Sequence, residues 1–418
     1  KCERMNQAEQ MLQDIVGMNT AGNHEADVAA YLEALFNQHN ITNKLVKLSD
    51  RRIGVIAEIG NGNGPILAFD GHEDTVALGD MNKWQHNPLS GEKIDGKIFG
   101  RGITDMKSGL MAAAIAMVNL KKQESKLNGT FKFYATVGEE SGEIGAKQMV
   151  ELGLASHIDA LLIGEPSGLP LVSLPKNHSS EALPGIILQE NLDELIVKNH
   201  TQEQHFLEIA HKGALSYQVT SEGRAAHSSM PELGINAVEA LLVFISQQKK
   251  YFESLTSIAN DFLGTTTPVI TEISGGEQPN TVPGHATMTV FIRTIPEVRQ
   301  ELIIRNIETI INQLNDTLSA TLRLDVTIKH APVSSSPESR LSQIAKNVGE
   351  KILEQKLPFI GVSGGTDASQ FIKVNPDMAV LVFGPGNVTA HQVNEFVYAD
   401  MYHKFIKVYE EIVSQYLA

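Results

Sequence analysis

The sequence predicts an α/β protein in two parts: a mixed-sheet domain interrupted by an inserted ferredoxin-like α+β domain. Three observations carry this. The 418 residues exceed what one hydrophobic core usually serves. Strand-like and helix-like runs alternate through the first part of the chain, which argues for a sheet with helices on both faces. Around residue 206 the order becomes β-α-β-β-α-β, the split unit of ferredoxin-like domains.

Each element follows from its periodicity. Residues 6–40 place apolar side chains at three- and four-residue spacing, as in "NHEADVAAYLEALFNQHN", and read as helix. "RIGVIAEIG" and "GPILAFDG" read as strands, "DMKSGLMAAAIAMVNLKKQ" as a helix, "GTFKFYATVG" as a strand, "GEIGAKQMVELG" as a helix and "DALLIGE" as a strand. "FLEIAHKGALSYQVTSEG" reads as one strand opening the second part. Then come helix "INAVEALLVFISQQKKYFESL", strands "TPVITEISGG" and "HATMTVFIRT", helix "EVRQELIIRNIETIINQLNDTL" and strand "TLRLDVTIKH". The first part resumes with helix "SRLSQIAKNVGEKILEQ", strand "MAVLVFG" and a terminal helix. The expected division is 1–206, 207–334 and 335–418. Residues 170–205, rich in polar and turn-forming types, fit neither part and read as an insertion. Their histidines, His178, His200 and His205, read as solvated.

Composition excludes several classes. A net charge of −15 would repel a phosphate backbone, so nucleic acid is not an expected partner. No stretch reaches the ~20 apolar residues of a membrane span. The one cysteine permits no internal disulfide and suits a reducing cytosol. The opening residues, "KCERMNQAEQ", are polar and unlike a secretion signal, so the expected location is the cytoplasm.

The chemistry gathers at strand ends. "ILAFDG" is followed by His72, Glu73 and Asp74, "FKFYATVG" by Glu139 and Glu140, and "ALLIG" by Glu165. "AVLVFGPGNVTA" is followed by His391, and Asp105 in "RGITDMKSG" stands at the start of a helix. Singly, each has an ordinary explanation. A histidine after a strand is usually a loop or core residue, Asp105 suits a helix N-cap, and "GEESGE" suits a solvated turn. Jointly they favour a metal site, because open α/β sheets bind ligands at the carboxyl ends of their strands. Histidine with carboxylate suits zinc, and a bridging carboxylate suits two metals.

In order along nearly the whole chain, "GHEDTV", "GRGITDMKSG", "GEESGEIG", "GEPSG", "AAHSSMPELGINAV", "GGEQPNTVPG" and "FGPGNVTAHQVNE" resemble the signatures of the aminoacylase/carboxypeptidase G family of dinuclear zinc hydrolases. Within it, the likeness is to the succinyl-diaminopimelate desuccinylase and acetylornithine deacetylase branch. The resemblance implies a zinc-hydrolase catalytic domain and makes the ferredoxin-like insertion a dimerisation (lid) domain. It implies two zinc ions per subunit, for which cobalt or manganese can substitute. His72 and Glu165 would hold one ion, Glu140 and His391 the other, and Asp105 would bridge them. Asp74 would hydrogen-bond His72, and Glu139 would be the general base. His227 in "AAHSSMP" would donate to the oxyanion across a dimer interface. Arg293 and Asn280 match positions that bind substrate carboxylate. Gly365 and Thr366 in "SGGTDASQF" could contact substrate through a flexible backbone, with Asp367 stabilising that loop. Residues 170–205 depart from the pattern, which has only a short connection there.

The expected activity is removal of an acyl group from an N-acyl amino acid, with N-succinyl-LL-diaminopimelate favoured. Lys212 in "AHKGALSY" is the candidate for a second substrate carboxylate. The alternatives are an acetylornithine deacetylase, a dipeptidase or aminopeptidase of the same family, and a non-enzymatic carboxylate-binding relative. The last is disfavoured because the ligands and base are all present. The expected assembly is a homodimer through the ferredoxin-like domain.

Overall fold

A computed structural model describes residues 4–173, 186–188 and 190–418. The chain forms two compact units. The larger comprises residues 1–210, 334–361 and 366–418, and the smaller residues 211–333 and 362–365.

The sheet of the larger unit runs Thr42–Lys47, Ile53–Gly60, Thr130–Thr136, Ile66–His72, Ala160–Ile163, Ala379–Val382, Leu207–His211, Phe359–Val362 and Ile186–Leu188. It is mixed. Four neighbouring central strands, Thr130–Thr136, Ile66–His72, Ala160–Ile163 and Ala379–Val382, are parallel. Ile53–Gly60 pairs antiparallel on one side of this quartet and Leu207–His211 on the other. Burial on both faces explains why the quartet reads as continuous apolar runs. Phe69 stacks on Phe133 at 5.6 Å and meets Tyr409 edge-on at 5.3 Å. Helix Ser108–Lys121 is buried almost all round. It lies so close to the sheet that a Cβ at Gly109 would stand 2.0 Å from the Gly164 carbonyl oxygen.

The smaller unit is a four-stranded antiparallel sheet in the order Thr267–Gly275, His285–Thr294, Gly213–Glu222, Thr321–His330. Its helices are Ala237–Ser254 and Gln300–Thr317. The second turns Ile303, Ile307, Ile311 and Leu314 inward, the spacing of one helix face. The Asn236 side chain caps the first by accepting from the Val238 and Glu239 amides at 3.0 and 3.2 Å.

Three expectations needed correction. The run read as one strand from residue 206 is two: Leu207–His211 belongs to the large sheet and Gly213–Glu222 to the small one. The chain changes sheets at Lys212–Gly213, where a Cβ on Gly213 would lie 2.5 Å from the His330 carbonyl oxygen. Alternating polarity continues through this point, so periodicity could not show the break. Asp105 is not at the helix start but in an irregular turn before it, in a cis peptide bond with Met106, and the helix begins at Ser108. Finally, the insertion is partly built into the larger unit. Ile186–Leu188 joins the sheet edge, and Glu203–His205 pairs antiparallel with Gly168–Pro170. His205 is fully buried rather than solvated, because Ser167 and Glu203 satisfy both ring nitrogens. His200 is exposed. His178 lies outside the described residues.

Candidate metal centre

The four parallel strands deliver their side chains to one edge of the sheet. His72 ends Ile66–His72. Glu139 and Glu140 follow Thr130–Thr136, Glu165 follows Ala160–Ile163, and His391 lies beyond Ala379–Val382. Asp105 enters from the turn before the buried helix. The result is a compact ring. His72 Nε2 lies 3.0 Å from Asp105 Oδ1 and 3.3 Å from Glu165 Oε1. His391 Nε2 lies 3.1 Å from Asp105 Oδ2 and 2.8 Å from Glu140 Oε1. Asp105 thus offers one carboxylate oxygen to each histidine. Donor atoms of His72, Asp105 and Glu140 lie within 4.8 Å of one another, as do those of His72, Glu139 and Glu165.

The electrostatics follow from crowding charged groups in a nearly dry site. Burial alone would raise the Asp105 carboxyl, but hydrogen bonds with His391 and His72 hold it well below the usual carboxylate range. Burial and the adjacent Asp105 charge push Glu165 up to about 8. Burial lifts Glu139 well above its ordinary value, and the negative charge of Glu165 adds to this. His391, hydrogen-bonded to Asp105 and Glu140, is raised to about 10.

This donor set fits divalent metal ions. The Asp74 backbone oxygen lies 3.0 Å from His72 Nδ1. A carbonyl only accepts, so Nδ1 donates to it, which leaves Nε2 as the ring nitrogen that faces the carboxylates and would ligate a metal. Four carboxylates and two imidazoles then converge, which is nitrogen and oxygen ligation of the kind zinc, cobalt or manganese takes.

The role expected of the Asp74 side chain needs correction. Its carboxylate is 3.6 Å from His72 Nδ1, too far for a hydrogen bond. It accepts instead from the Glu139 and Glu140 amides at 3.1 and 3.2 Å. Asp74 therefore grips His72 through its backbone and the Glu139–Glu140 pair through its side chain.

Glu395 is an organiser that sequence reading missed. Buried, it pairs with Arg101 at 2.7 Å. It also accepts from the amides of Gly102, Thr104 and Asp105 at 3.1, 2.9 and 3.3 Å. It thereby shapes the turn that aims Asp105. Both residues lie inside conspicuous motifs, "GRG" and "VNE", which was the available signal.

In the smaller unit, Ala226–His227 pairs with Thr281–Val282, and the Ser228 amide donates to the Asn280 carbonyl at 2.8 Å, so His227 and Asn280 sit side by side. His227 is exposed, and its Nδ1 accepts from the Ser229 amide at 3.2 Å. Its proton therefore sits on Nε2. Arg293 lies on the central His285–Thr294 strand. Lys212 is near it: burial and the Arg293 charge both lower the Lys212 ammonium. Lys212 Nζ donates to the Thr265 carbonyl at 2.6 Å and to Thr267 Oγ1 at 3.0 Å. Gly365, the last residue of the smaller unit, is exposed, whereas Thr366 of the larger unit is buried with its Oγ1 accepting from the Ala368 amide at 3.3 Å. In the larger unit, the buried Asp367 accepts from Thr136 Oγ1 at 2.6 Å.

Comparison with known proteins agrees with this geometry. Residues 68–415 match the family described as Peptidase family M20/M25/M40. A probable succinyl-diaminopimelate desuccinylase of Staphylococcus aureus (strain N315) is 35% identical over 434 residues, covering 98% of this chain and 97% of the relative. Two solved structures share the fold. Aminopeptidase PepT from Bacillus cereus has a TM-score of 0.73 at 18% identity, covering 98% of both chains. The Bacillus subtilis YXEP protein, a dinuclear metal binding peptidase, has a TM-score of 0.68 at 15% identity, also covering 98% of both. With family signatures spanning both units and a ring of histidines and carboxylates at the strand ends, the chain belongs to peptidase family M20/M25/M40, and is a metal-dependent hydrolase of amide bonds.

Proposed function

We infer that the chain is a dinuclear zinc amidohydrolase that releases succinate from N-succinyl-LL-diaminopimelate. The observation that carries the dinuclear reading is Asp105, whose two oxygens face His72 and His391 separately. His72 and Glu165 would hold one ion, and Glu140 and His391 the other, with Asp105 between them. Cobalt or manganese can take the place of zinc at such ligands. Two such ions would supply Lewis acidity for the amide carbonyl and for the attacking water.

The protein groups do the rest. The Glu139 carboxylate takes the proton of the attacking water as the hydroxyl adds to the succinyl carbonyl carbon. As the C–N bond breaks, Glu139 returns that proton to the leaving amine nitrogen. Succinate and LL-diaminopimelate depart. Glu139 suits this role because its backbone is fixed by Asp74 while its side chain lies beside His72 and Glu165. The Nε2–H of His227 would donate to the oxyanion, supplied by a second subunit. A homodimer through the smaller unit is supported by its edge strand Thr267–Gly275, exposed throughout, with Val269, Ile270 and Ile273 uncovered. The single cysteine suits action in the cytoplasm.

For the substrate, the name of the Staphylococcus aureus relative supports the succinyl compound. So does the chemistry of the smaller unit. Arg293 and Asn280 would hold the α-carboxylate, and Lys212 the carboxylate of the succinyl group. Among the described residues two Lys212 N–H donors are already used, and the third would serve the substrate. The backbone of Gly365 and Thr366 would line the acyl side.

A panel of N-succinyl-LL-diaminopimelate, N-acetylornithine and dipeptides tests this reading. The wild type should prefer the succinyl compound. A lost charge-assisted hydrogen bond costs about 1.5–3 kcal/mol, or roughly 10- to 150-fold. Lys212→Ala should therefore lose about that much on the succinyl substrate and far less on an acetylated one. Preference for acetylornithine or a dipeptide, or equal losses on both, would reject the succinyl assignment.

A further inference from the structure

Behind Glu165 lies a fully internal chain of three side chains that no part of the reaction uses. Ser167 Oγ donates to the Gly384 carbonyl at 2.8 Å and accepts from the Gly384 amide at 3.2 Å. It also meets His205 Nδ1 at 3.0 Å. The other ring nitrogen, Nε2, lies 3.0 Å from Glu203 Oε2. His205 and Glu203 are wholly buried, and Ser167 is 8% exposed.

The series Ser–His–Glu has the composition of a hydrolytic triad but not its setting. A nucleophilic serine must face a substrate. Ser167 is buried, and its hydroxyl is also engaged by both the carbonyl and the amide of Gly384.

Its placement gives it a different task. Ser167 stands two residues after Glu165. Gly384 packs on that same backbone: a Cβ there would lie 2.2 Å from the Gly164 oxygen and 2.4 Å from the Glu165 oxygen. The Ser167 and Gly168 amides both donate to the Gly386 carbonyl, at 3.2 and 2.9 Å. Gly386 in turn abuts Thr104, the neighbour of Asp105: its Cβ would lie 2.1 Å from the Thr104 oxygen. The Ser167 hydroxyl thus staples the segment carrying Glu165 to the segment that leads on to His391. His205 holds the staple and Glu203 holds His205. Glu203 Oε1 has no hydrogen-bond partner among the described residues, so the carboxylate is committed to His205 through its other oxygen. Gln355 fixes the pair from outside, accepting from the His205 amide at 2.6 Å and donating to the Glu203 carbonyl at 3.0 Å.

We propose that Ser167, His205 and Glu203 are positioning residues for the metal ligand Glu165, and that the inserted segment exists at this point of the chain to supply two of the three. This rests on the metal-centre reading given above. Through these two residues the described end of the insertion then acts on metal retention. Partners hydrogen-bonded directly to a metal ligand change metal affinity or activity by about 10–100-fold when lost, which is the upper bound for residues that act through the backbone as these do.

The test is metal affinity, measured by chelator competition and by metal analysis on purified protein, with thermal stability of the metal-free protein measured in parallel. His205→Ala and Glu203→Gln should weaken one of two bound ions by up to about 10–100-fold and leave the other unchanged. His205→Asn keeps an amide near the position of Nδ1 that can pair with the Ser167 hydroxyl, and should recover most of the loss seen with alanine. Glu203→Gln preserves size and shape, so it carries the test if His205→Ala does not fold. Wild-type affinity at both sites in Glu203→Gln and His205→Asn, with affinity also unchanged in any folded His205→Ala, would overturn the proposal. So would equal weakening of both ions that merely follows a loss of folding stability. A wild type that binds no metal would instead overturn the metal-centre reading itself.

Discussion

Replacing Asp74 by Asn tests whether one buried carboxylate holds the base and a ligand at once. The Asp74 oxygens each accept one amide hydrogen, from Glu139 at 3.1 Å and Glu140 at 3.2 Å, and the side chain is about 5% exposed. Asparagine keeps one acceptor and turns an N–H₂ toward the other amide. One hydrogen bond to a charged acceptor is lost, worth about 1.5–3 kcal/mol. Should that energy all be spent in placing Glu139 and Glu140, kcat/KM falls roughly 10- to 150-fold at 1.4 kcal/mol per factor of ten. The backbone contact to His72 is untouched by the substitution. The assay is steady-state hydrolysis of the succinyl substrate alongside metal analysis, and Asp74→Asn should lower kcat and loosen metal together. Wild-type kcat with full metal content in Asp74→Asn would refute the idea that this side chain organises the strand end.

Glu139→Gln should keep bound metal yet lose at least ~10²-fold in turnover, the usual share of a general base, whereas Glu140→Gln should lose metal; metal analysis with the pattern reversed would exchange their roles. Mixing inactive His227→Ala protein with inactive Glu139→Gln protein, under conditions that exchange subunits, should restore part of the activity, and no recovery after verified exchange would count against a shared site. Asp367 gives a pH prediction. Burial and the Glu143 charge raise its carboxyl to about 7 from an ordinary 3.8, so the folded state holds a proton that the unfolded chain releases. Stability from this group is full below about pH 4 and is lost as pH rises through about 7. Asp367→Asn, which never ionises, should gain stability relative to wild type between pH 4 and 8 in chemical denaturation, and a difference that stays flat with pH would contradict the assignment.

The legible part of the site was the part written locally. His72, Glu140, Glu165 and His391 each follow an apolar run directly or within a short glycine-rich loop, and four adjacent parallel strands bring those run ends together. The ferredoxin-like unit was legible for the same reason: each of its helices and strands carries its own period, and strands His285–Thr294 and Thr321–His330 span the runs read from sequence. What periodicity could not show was long-range pairing. Glu395 looks like an isolated loop carboxylate until the fold sets it against Arg101. His205, in the polar run "NHTQEQH", looks solvated until Ser167 and Glu203 close around it. Asp74 was assigned to the nearest histidine in sequence, yet its side chain serves backbone amides about 65 residues away. The sheet change at Lys212 was hidden because the alternation continues across it.

The central claim, a two-metal deacylase specific for a succinylated substrate, is tested most directly by one titration. Protein stripped of metal is titrated with zinc while release of diaminopimelate from N-succinyl-LL-diaminopimelate is followed. Activity should be absent at the start, should return with added zinc, and should reach its plateau near two ions per subunit. Full turnover by protein verified as metal-free, or a fully loaded protein that does not cleave the succinyl substrate, would contradict the account.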